Sequence, residues 1–540
     1  MQSEKKVYKL FFNGPIITMN EKEPCVEAVG ILNEKIIYTG KIDAIKEMLG
    51  QNYVSVDLEG KCLLPGFIDC HLHPIIFAFY LMNPDLTNVN SLDDLKQVLK
   101  NASEAKGEDE LVIGFNLKEE NFDKPILPSK WDLDDACSTK PMFIMRYDGH
   151  IGIANTKALE LAGISHDSIA PEGGEIRKND KGELTGILSE NALDLILSKI
   201  SFPGPQEIKA AAKQAFLILA EKGLTSLHGV LSTDTKGEFG GAAAVEMSIY
   251  KSLLDIIPQN WYALINTDKP KKLTRLKKPP LDDYSKESKF KINCLKLFLD
   301  GTFGAKTACM HEPFSDASDM CGFCVVDEDE IYEKMKIAHN NGFQICVHAI
   351  GDKGNRILVD LYIKLLEEFP RENHRHRIEH ASMLTKDVIQ DMKKYGIIAS
   401  CQPPFLNSEY TWLEKRLGKE RLKYTYPFKS IIDAGVILAS GSDCPIEDPS
   451  PLLGLHALIN RNGLIIEECI SVEEALKTYS LNAAYAAFEE DIKGSIEVGK
   501  LADFAILDRN PLAIPKDEIK DIQVVETIIR GKTVFKKEIN

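Results

Sequence analysis

Cys62-Leu63-Leu64-Pro65-Gly66-Phe67-Ile68-Asp69-Cys70-His71-Leu72-His73 is an apolar stretch with strand character that runs straight into two histidines. Residues two apart on an extended chain point the same way, so His71 and His73 can grip one cation through neutral imidazoles. An isolated His-x-His is more often two unrelated surface side chains. The strand that feeds this one gives it context, and the same arrangement recurs along the chain.

Seven further apolar runs follow: Leu224–Leu227, Tyr262–Ile265, Ile292–Leu299, Gln344–Val347, Arg375–Ile378, Ile397–Ser400 and Val436–Ala439. With Cys62–Ile68 they make eight, short and continuous, as buried parallel strands are. Between them lie segments of helical periodicity, among them Gln206–Lys222, Glu330–Asn340, Lys353–Glu368 and Thr385–Tyr395. Eight such units predict an α/β fold, the (β/α)8 TIM barrel.

The remaining sequence divides in two. Short strands at the N-terminus (Val7–Phe12, Ile16–Met19, Gly30–Tyr38) and at the C-terminus (Ala502–Leu507, Val524–Ile529, Thr533–Phe535) have too little apolar face to stand alone. They are expected to form one composite β-sandwich from residues 1–62 and 485–540, around a barrel of 63–75 and 201–484. The interval after His73 is too long for a crossover and carries its own strands (Leu111–Phe115, Pro141–Tyr147) and helices (Leu92–Ala105, Ala192–Ile200). Residues 76–200 are therefore expected to be an inserted α+β subdomain that covers the mouth of the barrel and selects substrate.

The 540 residues carry 65 Lys and Arg against 81 Asp and Glu, a formal charge of −16, with 44% hydrophobic residues. Such a balance excludes wholesale disorder and argues against nucleic acid or an anionic membrane as partner. No apolar run reaches the roughly 18 residues that span a bilayer, and no signal peptide is evident in the first twenty residues. A cytoplasmic protein acting on a small molecule, with homodimerisation as its expected assembly, fits this composition. The twelve cysteines are scattered as buried small hydrophobes are, and the one Cys-x-x-Cys, Cys321 to Cys324, reads as a plain loop.

Polar signals cluster at strand ends. His348 and His380 each close an apolar run, and Asp443 closes the last one within Ser440-Gly441-Ser442-Asp443. One buried histidine satisfied by hydrogen bonds would be unremarkable; four meeting at one barrel mouth point to metal. Asp443 alone could cap a helix, but beside metal ligands it is a natural base. Lys296 lies inside the apolar run Cys294–Leu299, where an ammonium is costly. Desolvation and a nearby cation favour its neutral amine, which can add carbon dioxide to become a carbamate. The alternative is a buried pair with Asp300. His228, at a strand end, is a candidate for substrate contact or a structural histidine; Asp148 and His150, after a strand of the insert, are candidates for substrate contact or lid closure. His376 is expected deeper in the barrel packing.

These residues together resemble the amidohydrolase superfamily: the Pro-Gly-Phe-Ile-Asp-x-His-x-His strand, the strand lysine, two single histidines and the Ser-Gly-Ser-Asp terminus. Lys296-Leu297-Phe298-Leu299-Asp300-Gly301 with Lys306-Thr307-Ala308, His348-Ala349-Ile350-Gly351-Asp352, and Asp148-Gly149-His150 with Asn155 are similar to the branch containing N-substituted formamide deformylase. Gly494 to Asp503 matches that family's return to its β-sandwich. Lys306 departs from the arginine of that pattern.

The resemblance implies one or two divalent ions, zinc foremost, with His71, His73 and Asp443 on the deeper one, His348 and His380 on the other, and carbamylated Lys296 bridging. It implies a hydrolase that cleaves a non-peptide carbon–nitrogen bond, of amide or formamide type, with metal-activated hydroxide, Asp443 carrying the proton. Ester or phosphoester hydrolysis at the same site is the alternative chemistry. A metal-free scaffold or regulator is the alternative class, and it predicts lost ligands, whereas all six positions are occupied.

Overall fold

The computed structural model describes residues 8–50, 52–104, 106–107, 110–147, 149–199, 205–233, 243–283 and 285–538. Eight parallel strands form the central sheet: Phe67–Leu72 (β1), Leu224–Ser232 (β2), Asn260–Asn266 (β3), Phe290–Phe298 (β4), Gln344–Ala349 (β5), Arg377–His380 (β6), Ile398–Cys401 (β7) and Leu438–Ser440 (β8). Each pairs with the next in chain order, as successive right-handed βα units require. The ring closes just past the end of β8, where Asp443 N–H donates to the His71 carbonyl at 2.7 Å and His73 N–H donates to the Cys444 carbonyl at 2.7 Å. The fold is a (β/α)8 barrel.

The run Cys62–Ile68, which sequence joins into one strand, divides at Gly66. Cys62–Pro65 pairs antiparallel with Phe504–Leu507 in another sheet, and the barrel strand starts at Phe67. A side chain at position 66 would collide with Thr225, its Cβ lying 2.2 Å from Cγ2. Hydrophobicity is continuous across the junction because both pieces are buried, so periodicity carries no sign of the change of sheet.

The two chain ends share a single eight-stranded sheet. Tyr8–Ile17, Cys25–Leu32, Lys35–Gly40, Val54–Asp57 and Cys62–Pro65 come from the N-terminal side; Phe504–Leu507, Val524–Ile529 and Lys532–Lys536 complete it. Its apolar core includes Phe11, Val29, Ile31, Leu63, Phe504 and Ile528. Asn13-Gly14-Pro15 does not break the first strand but is carried as an irregularity within it, between Phe12 and Ile16.

The segment after β1 builds a five-stranded mixed sheet of Val112–Leu117, Met142–Arg146, Ile151–Ala154, Gly174–Lys178 and Leu184–Glu190. The last two form a hairpin that the sequence reading passed over, since their alternation is masked by charged residues on an exposed edge. The helix expected over 192–200 is a single turn, Asp194–Leu197, because Ala192 and Leu193 are drawn into turns that bond to Ser189 and Glu190. No helix among the described residues is long and apolar enough to cross a membrane.

Candidate metal centre

At the carboxyl ends of the strands, His71, His73, His348, His380 and Asp443 line one small cavity, together with Gly149, His150, Phe298 and Phe405. This is the face where βα loops of such barrels carry chemistry. His71 Nε2 lies 3.5 Å from Asp443 Oδ1, and His73 Nε2 lies 3.2 Å from the same oxygen. The three ligand atoms fall within 4.8 Å of one another and all three side chains are buried. Among the described residues no other group of three or more such side chains meets that condition. The His348 and His380 rings lie 4.3 Å apart, and His380 lies 5.2 Å from His71.

The ring of His71 is held from behind. Its Nδ1 is 2.5 Å from Glu379 Oε2, and a carboxylate only accepts, so Nδ1 carries the proton and Nε2 faces the cavity with its lone pair. Glu379 is itself gripped by Arg377, Nε to Oε1 at 2.7 Å, and by Ser400, whose hydroxyl donates at 2.8 Å. Burial opposes the Glu379 carboxylate, but Arg377 and His71 hold it well below the usual range. The sequence reading assigns Glu379 no role. The available signal was Arg377-x-Glu379 on a buried strand, where two opposite charges two residues apart share a face.

The loop after β8 is positioned by Asp69. One oxygen accepts the N–H groups of His71 (3.0 Å) and Ser442 (3.1 Å), the other the Ser442 hydroxyl (2.6 Å). Gly441 permits this approach; a Cβ there would lie 2.5 Å from the His71 nitrogen. Asp443 and His380 both take left-handed backbone, φ 63° and 71°, an arrangement costly for non-glycine residues and concentrated at functional sites.

Burial pushes His348 and His380 well below the ordinary imidazole range, and the neighbouring imidazoles and Lys296 push the same way. Burial also lowers His71, against the pull of Glu379. All three imidazoles are thereby kept neutral and able to ligate. Burial works against the Asp443 carboxylate, yet the hydrogen bond with His73, together with the basic side chains around it, holds its pKa below the usual value.

Lys296 is fully buried on β4, its Nζ 3.6 Å from the centre of the Phe298 ring. The Asp300 carboxylate, the alternative partner, accepts three backbone N–H groups, from Ile350 (2.9 Å), Gly351 (2.8 Å) and Cys309 (2.9 Å). Its oxygens are committed to the loops after β4 and β5.

His228 is buried inside the barrel, away from the residues that line the cavity. Arg377 donates to its Nδ1 at 3.1 Å, and burial with that guanidinium lowers its pKa to about 3. His376 is buried at the opposite end of β6, where its Nε2 lies 2.9 Å from His339 Nδ1. Asp148 lies outside the described residues.

His150 reaches the cavity from the insert. Its ring lies 5.7 Å from His348, and its Nδ1 lies 2.8 Å from Glu190 Oε2. The other Glu190 oxygen accepts the Thr307 hydroxyl at 2.5 Å, and Glu190 too has positive φ, 51°. Gly149, His150 and Phe298 also line a second, wider chamber. Nothing in the local sequence announced Glu190, which is brought to His150 and Thr307 only by the hairpin and the barrel together.

Known proteins share this architecture. The sequence profile of the amidohydrolase family matches residues 55–535. The chain is 31% identical to YtcJ of Bacillus subtilis, over 98% of its own length and 99% of YtcJ. It is 24% identical to N-substituted formamide deformylase of Arthrobacter pascens, over 97% of both chains. An uncharacterized metal-dependent hydrolase from Pyrococcus horikoshii superposes with a TM-score of 0.74 at 27% identity, covering 94% of this chain and 99% of that one.

Proposed function

The chain belongs to the amidohydrolase family, and from that premise we propose that it hydrolyses a non-peptide carbon–nitrogen bond, of amide or formamide type, in a small molecule. The convergence of His71 Nε2, His73 Nε2 and Asp443 Oδ1 on one buried point carries this proposal. Two imidazoles and a carboxylate suit a divalent ion such as zinc, and the donor set fits one: the ring nitrogen of His71 not held by Glu379 is the one turned inward.

His71, His73 and Asp443 would hold that ion, His348 and His380 a second, and Lys296 as its carbamate would add oxygen ligands. The complete burial of Lys296 beside the Phe298 ring, where an ammonium is costly, supports a modified Lys296. When bound, the metal makes water nucleophilic at neutral pH and polarises the substrate carbonyl. Asp443, ionised and beside the attacking water, accepts its proton and returns it to the departing nitrogen, which leaves only when protonated. The imidazoles, occupied as ligands, cannot make that transfer. Gly149 and His150 bring the insert to the wall of the cavity, and to the insert we assign the covering of the mouth and the choice of substrate.

The test is a panel of formamides, N-acyl amines and cyclic amides, with aryl esters and phosphoesters beside them, offered to zinc-loaded and chelator-treated protein. Metal-dependent release of amine is the expected result. Turnover of esters or phosphoesters alone would replace the proposal with that chemistry. Protein that retains no divalent ion in metal-replete medium would favour a scaffold or regulatory role.

A further inference from the structure

Among the twelve free cysteines, Cys309 and Cys324 stand out. Their sulfurs lie 3.6 Å apart, in van der Waals contact, where the loop after β4 folds back on itself. We propose that Cys309 and Cys324 are a redox-modifiable dithiol, converted by a hydroperoxide to a reversible disulfide that staples the loop beside the candidate metal centre.

The backbones of both cysteines are held by one residue. Cys309 N–H donates to Asp300 Oδ2 at 2.9 Å, and Cys309 O accepts from Gly354 N–H at 3.0 Å. Cys324 bridges to Asp300 across an isolated β-bridge, and Val325 N–H next to it donates to the Leu299 carbonyl at 2.8 Å. The two thiols are thus aimed at each other by backbone already fixed, and bonding asks only for about 1.5 Å of side-chain movement to reach the length of a disulfide.

The geometry also selects Cys324's partner. Within Cys321-Gly322-Phe323-Cys324, Gly322 has φ 64° and presses on the Ala308 carbonyl, which a Cβ would meet at 1.9 Å. Met310 N–H donates to the Cys321 carbonyl at 2.8 Å. The turn is therefore laid against 308–310, which points Cys324 across the loop and not along it to Cys321. A metal held by these thiols is not favoured, because no group of three such ligand atoms gathers there among the described residues.

Access separates this pair from the other close one. Cys294 and Cys346, 2.6 Å apart on β4 and β5, are fully buried in the barrel, whereas Cys324 is partly exposed. Cys324 is also the more exposed thiol of the two, Cys309 being buried, so an incoming peroxide reaches Cys324 first. The chemistry balances. The Cys324 thiolate attacks the peroxide, breaking its O–O bond to give a sulfenic acid and one water or alcohol. Cys309 sulfur then displaces the sulfenic oxygen, releasing a water, so two thiols are oxidised and one peroxide reduced. Thr307, whose hydroxyl bonds Glu190 behind His150, lies two residues before the closed loop, and none of the candidate ligands changes.

The experiment needs no substrate. Native metal-loaded protein is treated with hydrogen peroxide, alkylated under denaturing conditions, and mapped by mass spectrometry both unreduced and after reduction and a second alkylation with a heavy reagent. The expected result is a Cys309–Cys324 linked peptide pair, lost on treatment with dithiothreitol, with first-label alkylation of both cysteines falling together. Cys321→Ser should form the same link, and Cys324→Ser should form none. Thiols that stay fully alkylatable after peroxide, a link between Cys321 and Cys324, or over-oxidation of Cys324 without a link would each overturn the proposal.

Discussion

Nδ1 of His71 and Oε2 of Glu379 lie 2.5 Å apart across 308 positions of sequence, joining the first barrel strand to the sixth inside the candidate metal centre. The contact sets which nitrogen of His71 faces the cavity, and Arg377 in turn keeps Glu379 ionised. Outer partners of this kind orient a ligand and raise its basicity.

Glu379→Gln should therefore weaken metal binding by about 10- to 100-fold while every ligand remains in place. Competition against a chelator of known affinity measures it. The substitution also strands the Arg377 guanidinium in the barrel, so thermal unfolding of the metal-free protein should shift downward, by about 3–5 kcal/mol in stability. Unchanged metal affinity would mean that the ring is oriented by packing alone.

Asp443→Asn preserves shape and one oxygen but removes the base. Turnover of any amide the wild-type protein hydrolyses should fall roughly 100- to 10,000-fold, with most of the metal retained. Amine release and metal content, measured on the same preparations, separate loss of proton transfer from loss of the ion. Near-normal turnover would pass the proton to another group, with His150 the first to examine.

Glu190→Gln should lower kcat/KM by about 10- to 100-fold through misorientation of His150, since an unpaired buried hydrogen-bonding group costs about 1–3 kcal/mol. Metal content should not change, because Glu190 touches Thr307 and His150 and none of the candidate ligands. His150→Gln should show the same loss, and the double variant little more, as two members of one hydrogen-bonded unit.

Acid should destabilise the chain in part through His228. Its folded-state pKa is about 3 against an ordinary 6.5, lowered by burial and by Arg377. A depressed histidine favours folding fully above pH 6.5, and that contribution is lost as pH falls from 6.5 toward 3, because the unfolded chain takes up the proton first. The wild-type curve of unfolding free energy against pH should be steeper across that window than the curve of His228→Asn, by up to about 1.4 kcal/mol per pH unit. Parallel curves would show that His228 is protonated in the folded protein.

Much of this protein is visible in its amino-acid order. Each barrel strand is a run of apolar residues bounded by polar ones, a local signal that survives without neighbours, and the helices between them announce themselves by period. His71, His73, His348, His380 and Asp443 are visible for the same reason: a polar residue at the end of an apolar run stands out from its own flanks. Cys62–Pro65 and Phe67–Leu72 merge in sequence because burial, not sheet membership, determines composition; only the clash at Gly66 shows where one sheet yields to the other. His228 has the flanks of a mouth residue, yet its place beside Arg377 depends on how far the strand continues, to Ser232. Glu379 behind His71 and Glu190 behind His150 are contacts between segments far apart in the chain. Their partners are chosen by the closure of the barrel and the docking of the insert, so tertiary structure alone supplies them.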